Sequence, residues 1–219
     1  MNIERMQPAD FDAVYRLLTQ SFPATERRGA AGQRALFSDG AYRVDILRAP
    51  DGGVQALIAS WDFDDFVFLE HFAVDPVCRS GGIGGQMLDA MLARCGKRAC
   101  LEAELPETEL AARRIGFYER HGFTVNTGYP YCQPALVPGG DPLPMHLLTT
   151  GGARTSAELR AMEQRFEVAK LLNEGMIYND ILERTGASSA TISRVNRSLL
   201  GGAGGYESIL EKMKESGEE

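Results

Sequence analysis

The seven residues Arg79-Ser80-Gly81-Gly82-Ile83-Gly84-Gly85 are the stretch of the chain best suited to hold an anion. Glycine lets a turn take positive φ and lets backbone N–H groups reach phosphate oxygens that a Cβ would keep away. The stretch runs into Gln86 to Arg94, whose apolar positions Met87, Leu88, Met91 and Leu92 fall at helical spacing. The glycine amides therefore lie at a helix N-terminus, with the positive end of the helix dipole behind them, which predicts an anion site, most naturally for a phosphate; the alternative is a flexible strand-to-helix connection, which glycine pairs also make. Neither the dinucleotide spacing G-x-G-x-x-G nor the Gly-Lys-Ser/Thr of a P-loop is present. The second group able to do chemistry is Glu70, within the run Phe66 to Val74. A carboxylate among phenylalanines is desolvated, which raises its pKa and suits it to accept a proton near neutral pH, directly or through a water. The competing expectation is that Glu70 pairs with an arginine.

These groups must be held by a strand and the helix that follows it. Phe66 to Val74 is rich in aromatic and β-branched residues, and period two predicts Phe66, Phe68, Glu70, Phe72 and Val74 on one face. Asp75-Pro76 ends it, since proline has no N–H for a ladder. Ahead of it come a short strand at Asn2 to Met6 and a helix with the stripe Phe11, Val14, Tyr15, Leu17 and Leu18. Strands at Ala41 to Leu47 and Val54 to Trp61 are joined through Asp51-Gly52-Gly53, so a meander is expected. Arg27 and Arg28 read as part of a solvated loop. In Ala99 to Leu105, Glu102 and Glu104 alternate with apolar residues; either the strand shows a wet face or its acids line a cleft. A helix over Glu107 to Arg120 and strands at Phe123 to Asn126 and Leu143 to Thr149 complete the first part.

Two strings resemble the hallmarks of the GNAT (Gcn5-related) N-acetyltransferases. Arg79 to Gly84 reads R-x-x-G-x-G after Ala73-Val74-Asp75-Pro76, as in motif A of that family, and Phe117-Tyr118 followed by Gly122-Phe123 resembles its F-Y-x-x-x-G-F signature. The resemblance implies acetyl-CoA as acyl-donor substrate, its pyrophosphate on the amides of Arg79, Ser80, Gly81, Gly82, Ile83, Gly84 and Gly85. It implies that the backbone of Phe72, Ala73 and Val74 pairs with the pantetheine arm, and that Tyr118 is the general acid toward the departing thiolate, with an amine of unidentified structure as acceptor. The ordinary role for Tyr118 is a buried ring with a hydrogen-bonded hydroxyl.

Behind Gly151-Gly152-Ala153-Arg154-Thr155 the composition changes and strand signals stop. Helices are expected over Ala157 to Asn173, Tyr178 to Arg184 and from Ser188 or Ser189 to about Leu199, with Gly186 between the last two, which is helix-turn-helix spacing. The string T-G-A-S-S-A-T-I-S-R-V, with Gly201 to Tyr206 behind it, resembles a Trp-repressor-like branch of bacterial proteins. The last helix has no acidic residue from Ser188 to Leu200, so Ser189, Ala190, Thr191, Ser193, Arg194 and Arg197 are candidates to contact duplex DNA, while Ile192, Val195 and Leu199 form the buried stripe. A protein-interaction module is the alternative. A single three-helix unit binds DNA weakly, so specific recognition would call for a homodimer.

The formal net charge of −7 argues against a protein that coats nucleic acid nonspecifically. With four cysteines outside any C-x-x-C spacing and three scattered histidines, no metal site is expected and the thiols read as reduced. No apolar run approaches the ~20 residues of a membrane helix, and no secretory leader is recognisable, so a cytoplasmic location is expected. The expected fold is α+β: a mixed, mostly antiparallel sheet with helices on both faces over 1–150, a linker at 151–156, and a small all-α unit with a glycine-rich, charged tail over 157–219. The function expected is N-acetylation of an amine coupled to a helix-turn-helix module; the alternative is a regulator whose first domain senses acyl-CoA without turnover.

Overall fold

The structure, a computed structural model, describes residues 3–38, 40–133 and 143–200. The glycine-rich segment Gly201 to Tyr206 and the charged tail lie outside the described residues. Eight strands form one sheet: β1 (Ile3–Arg5), β2 (Tyr42–Arg48), β3 (Val54–Asp62), β4 (Phe66–Val74), β5 (Arg98–Glu104), β6 (Phe123–Val125), β7 (Tyr131–Gln133) and β8 (Leu143–Thr150). The order is β1-β2-β3-β4-β5-β8-β6, with β7 also on β8. Among the described residues the one parallel pairing is β4 with β5, joined through the crossover helix α3 (Ile83–Cys95). The expected meander of β2, β3 and β4 is present, with Gly52 at φ 90° in its hairpin.

The alternation predicted for β4 fails at one residue. Ser60 pairs with Leu69 and Ala59 with His71, so Glu70 is an extra residue opposite no partner, a β-bulge. One inserted residue inverts the faces beyond it. Phe66 and Phe68 join the core under one sheet face, whereas Phe72 and Val74 pack against the core under the other, so Glu70 does not share a face with Phe72 and Val74. Bulges are a three-dimensional property of a strand pair, and a single strand's pattern does not reveal them.

Each sheet face has its own core. One is covered by α3 and by α4 (Glu109–Arg120), through Met87, Leu88, Met91, Ile115 and Tyr118. The other is covered by α1 (Phe11–Ser21), α2 (Ala30–Ala35), α5 (Ser156–Asn173) and the small helices behind it. Its cluster runs without a break from Val14 through Trp61 and Phe68 to Phe166 and Leu199. Phe166 of α5 stacks on Phe68 at 3.9 Å and meets Trp61 edge-on at 6.3 Å. Arg165 pairs with Asp65 at 2.6 Å and lies over the Phe66 ring.

The expected linker 151–156 is a pinned turn over 151–155, with Ser156 already in α5. Gly151 and Gly152 take positive φ, Arg154 N–H donates to Asn126 Oδ1 at 2.8 Å, and the Thr149 hydroxyl donates to the Gly152 carbonyl at 3.1 Å. Thr155 then caps α5 reciprocally with Glu158. The remaining helices are α6 (Tyr178–Thr185) and α7 (Ser189–Leu200), the first ended by Gly186 at φ 64°. Ile192, Val195 and Leu199 are the buried stripe of α7, as their spacing predicts.

Candidate active site

Where β4 and β5 part, a cleft of about 960 Å³ opens across the sheet. At one end it is lined by Phe72, Ala73, Val74, Arg79 and Ser80, at the other by Glu26, Glu70, His71, Glu102 and Glu104, with Tyr118 in its wall. Its size and single mouthful of convergent polar groups suit a small-molecule site.

The glycine turn closes the first end. Asp75 Oδ1 accepts the Val77 N–H, starting a tight 3-10 turn, and Arg79 Nε donates back to the Val74 carbonyl at 3.1 Å. Ser80 and Gly82 both have positive φ, 73° and 72°, which turns the chain into α3. Gln86 N–H is the first helical amide that finds a carbonyl, that of Gly82. Among the described residues no acceptor takes the N–H groups of Ile83, Gly84 or Gly85, as expected of a helix start. Gly84 and Gly85 are small because of what lies against them. A Cβ on Gly84 would stand 3.2 Å from Val74 Cγ2, and one on Gly85 2.8 Å from His121 Cε1. His121 is itself held by Asp89, at 2.6 Å.

Tyr118 sits on α4 with its ring edge-on to Phe117 and Phe123 and 9% of its surface exposed. Burial pushes its phenol up to about 12, against the opposing pull of Arg114. No hydrogen bond to its hydroxyl is present among the described residues, so the bonded hydroxyl of an ordinary packed tyrosine is not seen here.

Glu70 contradicts the expectation of a raised pKa. Burial does work to raise it, but the Arg28 guanidinium and His71 outweigh that and hold its carboxyl well below the usual carboxylate range. Arg28 Nη1 donates to Glu70 Oε1 at 2.8 Å, so the arginine pairing is what the fold contains. The reading of Arg27 and Arg28 as a solvated loop is likewise overturned. Arg27 donates to the Phe22 carbonyl and the Tyr15 hydroxyl, and Arg28 is half-buried against Glu70 with Trp61 6.0 Å away. His71 completes the arrangement, with Nε2 2.9 Å from the Glu26 carbonyl and its ring edge-on to Phe22. Glu70 and His71 thus fasten the segment Phe22 to Arg28 over the cleft.

Glu102 accepts hydrogen bonds from the Tyr131 hydroxyl and from Gln133 Nε2, and Glu104 pairs with Arg114. The sequence offers no strand signal for Tyr131 to Gln133 in their Pro/Gly-rich stretch; only pairing with β8 makes them a strand, and with it a wall of the cleft. In the helical unit, Ser188 caps α7 by accepting the Thr191 N–H. Ser189, Ala190 and Arg194 are exposed, Thr191 and Ser193 half-buried, and Arg197 falls within α7 with its side chain outside the described atoms.

This fold, a sheet splayed between two parallel strands with a glycine turn at the opening, is that of an acyltransferase. The family model described as acetyltransferase (GNAT) domain matches residues 44–125, and that described as Trp repressor protein matches residues 152–214. A solved protein of Bacteroides thetaiotaomicron assigned to the GNAT acetyltransferases superposes with a TM-score of 0.70 at 31% identity, over 77% of this chain and 97% of that one. YjbC of Bacillus subtilis, assigned to the acetyltransferases, is 27% identical over 78% of this chain and 88% of its own length. YerC, an uncharacterised Bacillus subtilis protein, is 48% identical over 62 residues, which are 28% of this chain and 60% of that protein. The chain belongs to the GNAT acetyltransferase family and carries a Trp-repressor-like helical region behind the acyltransferase fold.

Proposed function

We propose that the chain transfers an acetyl group from acetyl-CoA to an amine, and that its helical unit binds duplex DNA. The observation that carries the first part is that Arg79 and Ser80 of the glycine turn line one cleft with Tyr118, whose hydroxyl has no hydrogen-bond partner among the described residues, and that the unpaired amides at the start of α3 follow directly behind Ser80 in the chain. In this reading Arg79, Ser80, Gly81, Gly82, Ile83, Gly84 and Gly85 hold the pyrophosphate of the donor through backbone N–H groups. The backbone of Phe72, Ala73 and Val74 pairs with its pantetheine arm. Tyr118, protonated at any working pH, gives its proton to the departing thiolate. Glu70 positions the segment over the cleft and does not titrate in the working range. A thioester is already activated, so orientation supplies much of the rate.

The test is a mass-spectrometric screen of amines with acetyl-CoA. Acetylated product is expected for at least one, with Tyr118→Phe lowering turnover by ~10²-fold or more and leaving donor binding unchanged. Wild-type turnover in that variant would return Tyr118 to a packing role.

For the helical unit, the supporting feature is a capped helix with Ser189, Ala190 and Arg194 exposed on a face without acids. Arg194→Ala is expected to weaken binding to genomic fragments in fluorescence anisotropy and to reduce the salt slope by about one. No binding by the intact chain at low salt would leave the unit as a protein-interaction module. The alternative, an acyl-CoA sensor without turnover, would show donor binding and no product with any amine.

A further inference from the structure

The parallel ladder of β4 and β5 ends at the pair Leu69 and Leu101. Beyond it β4 continues against β3 and β5 against β8, and the cleft opens in the fork. Glu70 and Glu102 are the first residues past that pair, one on each strand, and both line the cleft. Their surroundings differ. Glu70 is clamped by Arg28, whereas Glu102 has no ion-pair partner among the described residues. Tyr131 donates its hydroxyl to Oε1 of Glu102 and Gln133 donates Nε2–H to Oε2 at 2.7 Å. Two such bonds use about half of the lone-pair sites of a carboxylate, which leaves capacity for a donor in the cleft.

The groups around Glu102 come from four elements. Tyr131 and Gln133 face it from β7, Glu70 from β4, Cys100 from its own strand, and Glu163 of α5 lines the small cavity behind it. Lys170 of α5, buried with its Nζ 5.0 Å from the Phe166 ring, acts on it through space. Further along the cleft stand Glu26 and the pair of Glu104 with Arg114. Burial pushes the Glu102 carboxyl up; Tyr131, Lys170 and Gln133 oppose this, and Glu70 adds to it. Of the two carboxylates in the fork, Glu102 is the one that no arginine holds ionised and the one with lone pairs left for a donor in the cleft.

We infer that Glu102 is the catalytic group that takes the proton from the acceptor amine, an inference that rests on the acyltransferase reading above. An ammonium ion in the fork gives one proton to the Glu102 carboxylate. The neutral nitrogen then forms the C–N bond with the thioester carbon as the C–S bond breaks. The thiolate takes the Tyr118 proton, and the second proton released from nitrogen on amide formation restores the tyrosine. Glu102 returns its proton to solvent.

The experiment uses the full chain, acetyl-CoA and two acceptor probes, n-butylamine and 2,2,2-trifluoroethylamine, with thiol release followed from acid to alkaline pH. The first amine is an ammonium ion at neutral pH and needs a base; the second is mostly neutral there and does not. Glu102→Gln is expected to lose ~10²-fold or more in kcat/KM with n-butylamine and less than ~10-fold with trifluoroethylamine. Tyr131→Phe removes a hydrogen bond to the carboxylate, which raises its pKa, so the acid limb of the n-butylamine profile is expected to move to higher pH. Equal losses of Glu102→Gln with both amines, wild-type rates in that variant, or an unmoved limb in Tyr131→Phe would overturn the role of Glu102 while leaving acyl transfer intact. No amine-dependent thiol release by the wild-type chain with either probe would overturn it together with the acyltransferase reading.

Discussion

The two ends of the cleft are built from different materials. The glycine-turn end is made by one continuous stretch of backbone, Val74 to Gly85, and the carboxylate end by side chains from β4, β5, β7 and the segment ahead of α2. A backbone site is local, so its requirements are written in consecutive residues: small at Gly84 because of Val74, small at Gly85 because of His121, positive φ at Gly82. A side-chain site is assembled by the fold, and each member looks ordinary alone. Glu70 and Glu102, 32 positions apart, meet at the fork, and Arg28, 42 positions ahead of Glu70, reaches it through their ion pair. The same contrast separates α5 from the linker before it: Gly151 and Gly152 look loose as letters, and Asn126 and Thr149 pin them.

The sharpest break of that contrast is at Phe166, where the helical unit enters the core of the acyltransferase fold. Phe166→Ala removes the stacking on Phe68 and the contact with Trp61 and is expected to cost about 4 kcal/mol of stability. Urea unfolding of the full chain followed by tryptophan fluorescence measures it, since Trp61 is the single tryptophan. A shift below about 1 kcal/mol would mean that α5 is a tethered module and not part of the core. Consistent with a shared core, a match over 78% of the chain with YjbC cannot fit within the first 150 residues.

A smaller effect is expected at Glu70. Glu70→Gln leaves the Arg28 charge without its partner and should lower stability by about 3 kcal/mol at neutral pH. The sign with pH follows from the pairing. The folded carboxyl lies below its unfolded value of 4.5, so its contribution is complete above that pH and is lost as the pH falls through and below it. Wild type and variant should therefore differ at pH 7 and converge in acid, which thermal melts from pH 7 downward measure. A constant difference across that range would remove the ion pair as the cause.

Much of the fold was legible in the sequence for a physical reason. Strands such as Phe66 to Val74 and helices such as Phe11 to Ser21 have faces buried by whole-element packing, and periodicity records that directly. Glu70 was legible as a carboxylate in apolar surroundings but not in the direction of its pKa or in its face, because the bulge that turns it and the arginine that clamps it both come from elsewhere in the chain. Helix α2 and strand β7 left no pattern, being six and three residues long. The pairing of Tyr131 with Glu102, on which the acceptor end depends, could not be read before β7 was placed on β8.

The most direct test of the central claim, that the glycine turn binds the acyl donor, is calorimetric titration of acetyl-CoA into the wild-type chain and into Gly82→Glu. Gly82 sits at φ 72° with only Gln86 Nε2 within 4 Å of a built Cβ, so the variant should remain folded, with about 1 kcal/mol of backbone strain. It places a carboxylate beside the unpaired amides and should abolish binding that the wild-type chain shows. Equal affinity for both chains would contradict the assignment of the donor phosphates to Arg79 to Gly85.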